Sequence, residues 1–166
     1  MKKKILGVIS FVFLLIFSLV GDAMAAIYSD ADIYLATRKL REVSLKDMMS
    51  FVNKTDLVGN RASNFNMQTM QYQRTVSGAV DSLQSITNRI DIVRNSMDYS
   101  DSEKDMKTRE LYQEADAVLS NVHGETINYL MGLNRTMPTI THQRFVKRFQ
   151  EYYNGLNIGS SQINFR

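Results

Sequence analysis

One stretch of the sequence, VSGAVDSLQSITNRIDIVRNSM at residues 76–97, restricts the possible folds more than any other part of the chain. Starting from Tyr72, apolar residues recur there at alternating steps of four and three. Because an α-helix has 3.6 residues per turn, this spacing places them along one side of a helix and predicts that this side is buried. The resulting stripe consists of Tyr72, Val76, Ala79, Leu83, Ile86, Ile90, Val93 and Met97.

The width of the stripe indicates what it packs against. A two-stranded coiled coil needs only a narrow seam, whereas a globular helical bundle needs a broader one. Val80 and Ile92 flank the stripe and widen it. We therefore expect it to pack within the chain against the next predicted helix. The alternative is that two copies of the chain associate through a helix face that packing within the chain does not cover.

The amino terminus has the three parts of a secretory signal peptide. A basic head, MKKK, precedes an unbroken apolar run from Ile5 to Gly21, and Ala23 and Ala25 have the spacing of a cleavage site. We predict that residues 1–25 are a signal peptide cleaved after Ala25. An uncleaved membrane anchor is the alternative. This organisation of the leader is typical of bacteria, and it predicts that the mature protein is located in the periplasm or is secreted.

Composition excludes several classes of protein. The chain has no cysteine, so lipidation at the cleavage site and a disulfide framework are both excluded. Without Lys2, Lys3, Lys4 and Asp22 of the leader, 17 basic and 16 acidic residues remain, which is not the charge of a nucleic-acid-binding protein.

The charges are unevenly distributed along the sequence. Residues 98–125 hold eight acidic residues against three basic ones, and residues 135–166 hold five basic residues against Glu151 alone. We expect the two segments to be neighbours in the fold and to neutralise each other. The alternative is a basic end that meets an acidic partner or lipid headgroups.

The rest of the chain predicts an all-α domain over residues 26–154. Three serine–acid pairs have the spacing of helix capping boxes: Ser29 with Asp32, Ser44 with Asp47, and Ser100 with Glu103. The single proline, Pro138, is predicted to end a helix. Helices two and three are predicted to form an antiparallel hairpin that helices one and four cover, giving an up-and-down bundle of three to four long helices with coiled-coil-like packing. The predicted helices are Asp30–Val58 with a break or kink near Ser44, Ala62–Tyr99, Ser102–Met137 and Thr141–Asn154.

Sequence motifs for catalysis or metal binding are absent from the chain. Neither His123 nor His142 has an acidic residue three positions before it, as a di-iron bundle requires, and there is no Gly-x-Ser-x-Gly motif. The methionines are predicted to fill gaps in the core. We therefore expect neither an enzyme nor a bound metal, haem or other cofactor.

The carboxy-terminal part contains the candidate partner-binding residues. The predicted fourth helix has apolar residues on one face and basic ones on the other, which is typical of a helix that lies on a membrane surface or in a groove of a partner. Residues 155–166 are predicted to be extended or disordered. The alternative for the helix is that its aromatic side chains complete the core. The candidates are Arg144, Phe145, Lys147, Arg148, Phe149, Tyr152 and Tyr153 in the helix, and Ile163 and Phe165 in the tail.

These features predict a non-enzymatic exported protein of the bacterial envelope that acts as an interaction or scaffold subunit. At the level of fold, the predicted architecture resembles small exported helical subunits of secretion machines, such as the minor pilin of type IV secretion systems. That resemblance implies an accessory role in a secretion or pilus-type machine. The expected partner is another envelope protein or a second copy, with no nucleic acid. The alternative function is a periplasmic carrier or sensor that holds a small ligand between its helices.

Overall fold

The computed structural model describes residues 29–52 and 57–155 of the 166-residue chain. This part of the chain is mostly helical and contains no strand, which confirms the all-α prediction. The predicted signal peptide and the tail residues Ile163 and Phe165 lie outside the described residues. The helices are α1 (Asp30–Glu42), α2 (Leu45–Ser50), α3 (Asn60–Asn95), α4 (Asp101–Thr136) and α5 (Thr139–Gly155).

Serine caps begin two of the helices, as the sequence predicts. The Ser29 side chain accepts the Asp32 amide at 3.3 Å. Ser100 forms a complete capping box, because its hydroxyl accepts the Glu103 amide at 3.4 Å and its own amide donates to the Glu103 carboxylate at 2.8 Å. These bonds satisfy amides that the first turn of a helix leaves without a backbone partner. The Ser100 hydroxyl also donates to the Glu103 carboxylate at 2.7 Å, and this bond, together with the bond from the Ser100 amide, lowers the pKa of Glu103.

The predicted first helix is two shorter helices. The backbone becomes extended at Val43 and Ser44, and α2 starts there without a side-chain cap from Ser44. Gly59 then turns the chain into α3 with a φ of 60° and a ψ of −132°, a conformation that side chains other than glycine rarely adopt. The bundle therefore contains two long helices, α3 and α4, rather than three or four.

Helices α3 and α4 form an antiparallel hairpin. Thr69 bonds to Tyr129, whereas Arg89, further along α3, bonds to Glu114, which lies earlier in α4. Each helix has 36 residues, which corresponds to about 54 Å. We call the end at the loop of residues 96–100 the closed end, and the end at Asn60 and Thr136 the open end.

The predicted stripe lies inside this hairpin. Its residues from Tyr72 to Ile90 are buried and Val93 is partly buried, so the prediction of packing within the chain is confirmed. Met97 is the exception and is fully exposed. Helix α3 ends at Asn95, and the extended backbone of Ser96 takes Met97 out of the helical register. On α4, Leu111, Ala115, Val122, Tyr129, Leu130 and Leu133 complete the seam.

The shorter helices pack on the outside of the hairpin, and α2 lies beside α5, where Phe51 packs on Phe145 at a centroid distance of 5.9 Å. Helices α1 and α2 contact α3, and α5 contacts α4. The amino terminus of α1 is fixed near the closed end, where Asp30 binds both Arg94 and Tyr112. Helix α5 follows Pro138 at the open end and packs its aromatic residues on Tyr72 and Tyr129.

The seam predicts where substitutions destabilise the fold. Leu83 is fully buried in the middle of α3. Because Leu83→Ala leaves a cavity between two rigid helices, we expect it to lower the free energy of unfolding by about 3 kcal/mol. Urea denaturation followed by circular dichroism measures this loss. Met106→Ala on the exposed surface of α4 is the control and should change stability by less than about 0.5 kcal/mol. Equal effects of the two substitutions would contradict a buried seam.

Candidate interaction surfaces

Two of the predicted partner-binding residues lie in the core. Phe145 and Phe149 are 0% and 1% exposed. Phe145 packs edge-to-face on Phe65 with a centroid distance of 5.7 Å, and Phe149 lies 6.2 Å from Tyr72. The aromatic face of α5 therefore completes the core at the open end, and these two side chains are not available to a partner in this structure.

Tyr152 and Arg148 also make internal contacts. The Tyr152 hydroxyl accepts the Ser44 amide at 3.1 Å and donates to the carbonyl of Glu42. Arg148 donates to the Phe51 carbonyl at 3.1 Å. These bonds join α5 to the junction of α1 and α2, where the backbone leaves helical geometry and needs partners. Burial is the main reason that the pKa of Tyr152 is raised.

The remaining candidates of α5 face outward or lie outside the described side chains. Arg144 and Lys147 are exposed, and Lys147 is paired with Glu151 at 3.8 Å within the helix. The Tyr153 side chain is not among those described. The basic face of α5 is thus separate from the aromatic face, as the sequence predicts, but only the basic face is on the surface.

His142 is a buried polar residue within the same core. Its Nε2 atom lies 2.8 Å from the Leu130 carbonyl, and because a carbonyl can only accept, Nε2 carries the proton and donates. Within the described part of the chain, Nδ1 has no hydrogen-bond partner. A second proton on Nδ1 would therefore create a buried charge without an acceptor. Burial accordingly lowers the pKa of His142 below its ordinary value of 6.5.

A polar cleft lies between α3 and α4 near the open end. Tyr72 and Tyr129 stack there at 4.5 Å, and their hydroxyls bond to Thr126 and Thr69, each at 2.9 Å. Burial raises the pKa of Tyr129. The cleft has a volume of about 150 Å³, and the residues lining it besides the two tyrosines are Gln68, Gln71, Thr75, Glu125, Asn128 and Gly132.

Most methionines of the described chain are exposed rather than in the core. Met48 and Met137 are buried, so the expectation that methionines fill gaps in the core holds for these two. It is wrong for the others, because branched aliphatic and aromatic side chains already fill the seam. The exposed methionines are Met49, Met67, Met70, Met97, Met106 and Met131.

Four exposed apolar side chains lie at the closed end of the hairpin. Met97 is fully exposed in the loop, Ile92 is exposed near the end of α3, Tyr99 is exposed in the loop, and Met106 is exposed near the start of α4. A shallow depression of about 320 Å³ runs next to Ile92 and Tyr99, and the Lys107 ammonium lies 4.8 Å from the centre of the Tyr99 ring. We call Ile92, Met97, Tyr99 and Met106 the closed-end patch.

The expected neutralisation between the acidic and basic segments is not found among the described ion pairs. Asp101 and Arg135 lie at opposite ends of α4, 34 residues and thus about 51 Å apart. The described ion pairs connect other groups, among them Arg89 with Glu114 and Arg94 with Asp30. The hydrogen bond to Arg94 is the main reason that the pKa of Asp30 is lowered. The charge imbalance between the two ends of the hairpin therefore persists in the folded chain.

Comparisons with known proteins do not assign the chain to a class. It matches no protein-family model, no curated protein and no solved structure. Across residues 29–52 and 57–155, no group of three acidic, histidine or cysteine side chains is arranged to hold a metal ion. None of the helices described there has the length and apolar content needed to cross a membrane.

Tyr152→Phe tests the junction between α5 and the α1–α2 segment. The substitution removes one hydroxyl and leaves the Ser44 amide and the Glu42 carbonyl without that partner. We expect the free energy of unfolding to fall by about 1 kcal/mol in chemical denaturation. Tyr34→Phe, at a tyrosine that is 65% exposed on α1, is the matched control and should have almost no effect. Similar losses from both variants would contradict a bridging role for Tyr152.

The lowered pKa of His142 leads to a prediction of how the free energy of unfolding depends on pH. Because its pKa is lower in the folded than in the unfolded chain, the unfolded chain binds more protons as the pH falls below 6.5. The stability that neutral His142 contributes is therefore fully present above pH 6.5 and is lost as the pH falls through the lowered folded pKa. Urea denaturation between about pH 7.5 and 4.5 measures this loss. In His142→Gln, whose amide can still donate to Leu130, the pH dependence should be smaller; an unchanged slope would contradict the assignment.

Proposed function

We propose that this chain is an exported helical protein of the bacterial envelope that binds another envelope protein and performs no catalysis. The observation that carries the proposal is the set of exposed methionines on a scaffold whose core is already complete. Methionine is flexible and polarizable, and it is common on surfaces that adapt to a partner. The leader of residues 1–25 supports export to the periplasm or beyond.

The closed-end patch is the surface best suited to such binding. It lies at the end of a rigid hairpin, and Met97 and Tyr99 are in the connecting loop, where no helix of the described chain covers them. A contiguous apolar surface often marks a contact site for another protein, and here Ile92 and Tyr99 line one depression. Charged residues such as Lys107 and Glu110 border the patch and provide a polar rim.

An accessory role in a secretion or pilus-type machine is the finer form of this proposal. A rigid hairpin of about 54 Å can hold a contact surface well away from the half of the molecule that α5 covers. The exposed basic residues Arg144 and Lys147 on α5 provide a second surface, suited to an acidic partner or to lipid headgroups.

The polar cleft favours a second function, that of a periplasmic carrier for a small polar molecule. The side-chain oxygen of Gln68 is buried there and has no hydrogen-bond partner within the described residues. With a volume of about 150 Å³, however, the cleft is smaller than the roughly 300–1,000 Å³ of typical ligand pockets. Protein binding is therefore the function that the geometry supports better.

Site-specific photo-crosslinking in living cells tests the proposal. A photoreactive amino acid at Met97 should give an adduct of one defined mass with another envelope protein. The same amino acid at Asn121, which is exposed on α4 away from the patch, is the control and should give none. Replacement of Tyr99 by Ser in the Met97 probe should reduce the adduct severalfold. Absence of a defined adduct at Met97, or the same adduct from Asn121, would contradict binding through the closed-end patch. Native mass spectrometry that shows a retained small molecule would support the carrier function instead.

A further inference from the structure

The polar cleft between α3 and α4 contains a buried hydrogen-bond acceptor without a partner. The Oε1 atom of Gln68 is buried, and no donor of the described residues bonds to it. An acceptor that loses its water on folding is costly unless another donor replaces that water. Because Gln68 lines the cleft and the last torsion of a glutamine side chain is soft, a small rotation of the amide brings this oxygen to a donor held there.

Gly132 makes room for this amide. A Cβ atom added at position 132 would lie 3.2 Å from the Gln68 oxygen, closer than ordinary van der Waals contact. Glycine inside a helix is unfavourable relative to alanine, because it loses more conformational freedom on folding. Gly132 lies inside α4, and its lack of a side chain preserves the space that the amide and the cleft occupy.

Glu125 decides the sign of charge that the cleft favours. It is partly buried, and it is the only charged residue among the described residues that line the cleft. It takes part in none of the described ion pairs. A carboxylate only accepts hydrogen bonds, and it accepts the strongest ones from positively charged donors. The cleft therefore favours a cation that carries N–H groups.

The two acceptors lie toward opposite ends of the cleft. Glu125 precedes Gly132 by seven residues, which corresponds to about 10 Å along α4, and the Gln68 oxygen lies beside Gly132. Tyr129 comes between these two positions, and its ring stacks on the ring of Tyr72 at 4.5 Å. The cleft thus offers a carboxylate at one end, aromatic surface in the middle and an amide oxygen at the other end.

We propose that the polar cleft binds a small linear primary amine with a second hydrogen-bond donor a few carbons away, its ammonium on Glu125 and its second donor on Gln68. The ammonium of such a molecule is charged at neutral pH, as that of lysine is. A cavity of about 150 Å³ holds a molecule the size of benzene, so about six non-hydrogen atoms fit the cleft. This inference rests on the second function considered above, that of a carrier, and is independent of the closed-end patch.

Three probes with the same number of non-hydrogen atoms test which groups are recognised. 4-Aminobutanol has both features, pentylamine has the ammonium without the second donor, and butanediol with its hydroxyls at the two ends has both donors without the charge. Isotope-labelled protein, purified from cells that express the whole chain, is titrated with each probe at constant salt. The NMR signals of Gly132 and of the Gln68 side-chain amide report the binding.

We expect these signals to shift saturably with 4-aminobutanol, with a dissociation constant on the order of 1 mM. Pentylamine should bind at least about fivefold more weakly, because it leaves the Gln68 oxygen without a donor. Butanediol should bind at least about tenfold more weakly, because its hydrogen bond to Glu125 is not assisted by charge. Absence of saturable shifts, or equal binding of the three probes, overturns the proposal.

Two substitutions test which residue recognises which end of the ligand. Glu125→Gln keeps the size of the side chain and removes its charge, so the preference for 4-aminobutanol over butanediol should disappear. Gln68→Leu removes the amide oxygen, so the preference over pentylamine should disappear while the preference over butanediol remains. Glu110→Gln, at an exposed acidic residue of α4 outside the cleft, is the control and should change neither preference. Preferences that persist in either cleft variant overturn the assigned contacts.

Gly132→Ala tests the space beside Gln68. The added methyl group displaces the amide, so 4-aminobutanol should bind at least about fivefold more weakly. Gly78→Ala is the matched control, because an added Cβ at this helical glycine of α3 meets no atom within 4 Å, and it should leave binding unchanged. Equal binding by the two variants overturns the proposed site. Photo-crosslinking at Met97 reports a different surface, so failure of amine binding and failure of protein binding can be told apart.

Discussion

The buried seam between α3 and α4 is the contact on which the rest of the structure depends. Two helices of 36 residues cannot be stable alone in water with one apolar side exposed, and each covers the apolar side of the other. Residues such as Leu83, Ile86 and Leu133 are almost completely inaccessible to solvent because they lie in this seam. The shorter helices α1, α2 and α5 pack on the outside of this hairpin.

The two ends of the hairpin differ in chemistry for a physical reason. At the open end, α5 adds Phe145 and Phe149 to an aromatic cluster and leaves its basic side chains in solvent. At the closed end, α1 reaches only as far as the bonds of Asp30 with Arg94 and Tyr112, and the loop beyond is uncovered by any described helix. The open end therefore has buried aromatic residues and exposed basic ones, and the closed end has an uncovered loop in which Met97 and Tyr99 are exposed. The closed-end patch follows from what the helices leave uncovered.

Several features of the fold could be read from local sequence, because they depend on residues close together in the chain. The serine cap at Ser29, the capping box at Ser100 and the helix end before Pro138 are of this kind, and so is the seam. The candidate binding residues were harder to predict. An amphipathic helix such as α5 has the same sequence pattern whether its apolar side meets a partner or its own core, and only the positions of Tyr72 and Tyr129 decide between them. The Tyr152 bonds to Ser44 and Glu42, more than 100 residues away in sequence, had no local signal at all.

By itself, the sequence determined a helical chain with one dominant buried seam and no cysteine, and it predicts an export leader over residues 1–25. Periodicity and turn chemistry act over a few residues, and for that reason they survive in the sequence as readable patterns. The tertiary structure alone decided which apolar side chains are covered, and it exposed Met97 while burying Phe145. It also decided that the acidic and basic segments begin at opposite ends of α4, because the distance between two charges depends on how long helices are placed and not on how many charges the chain contains.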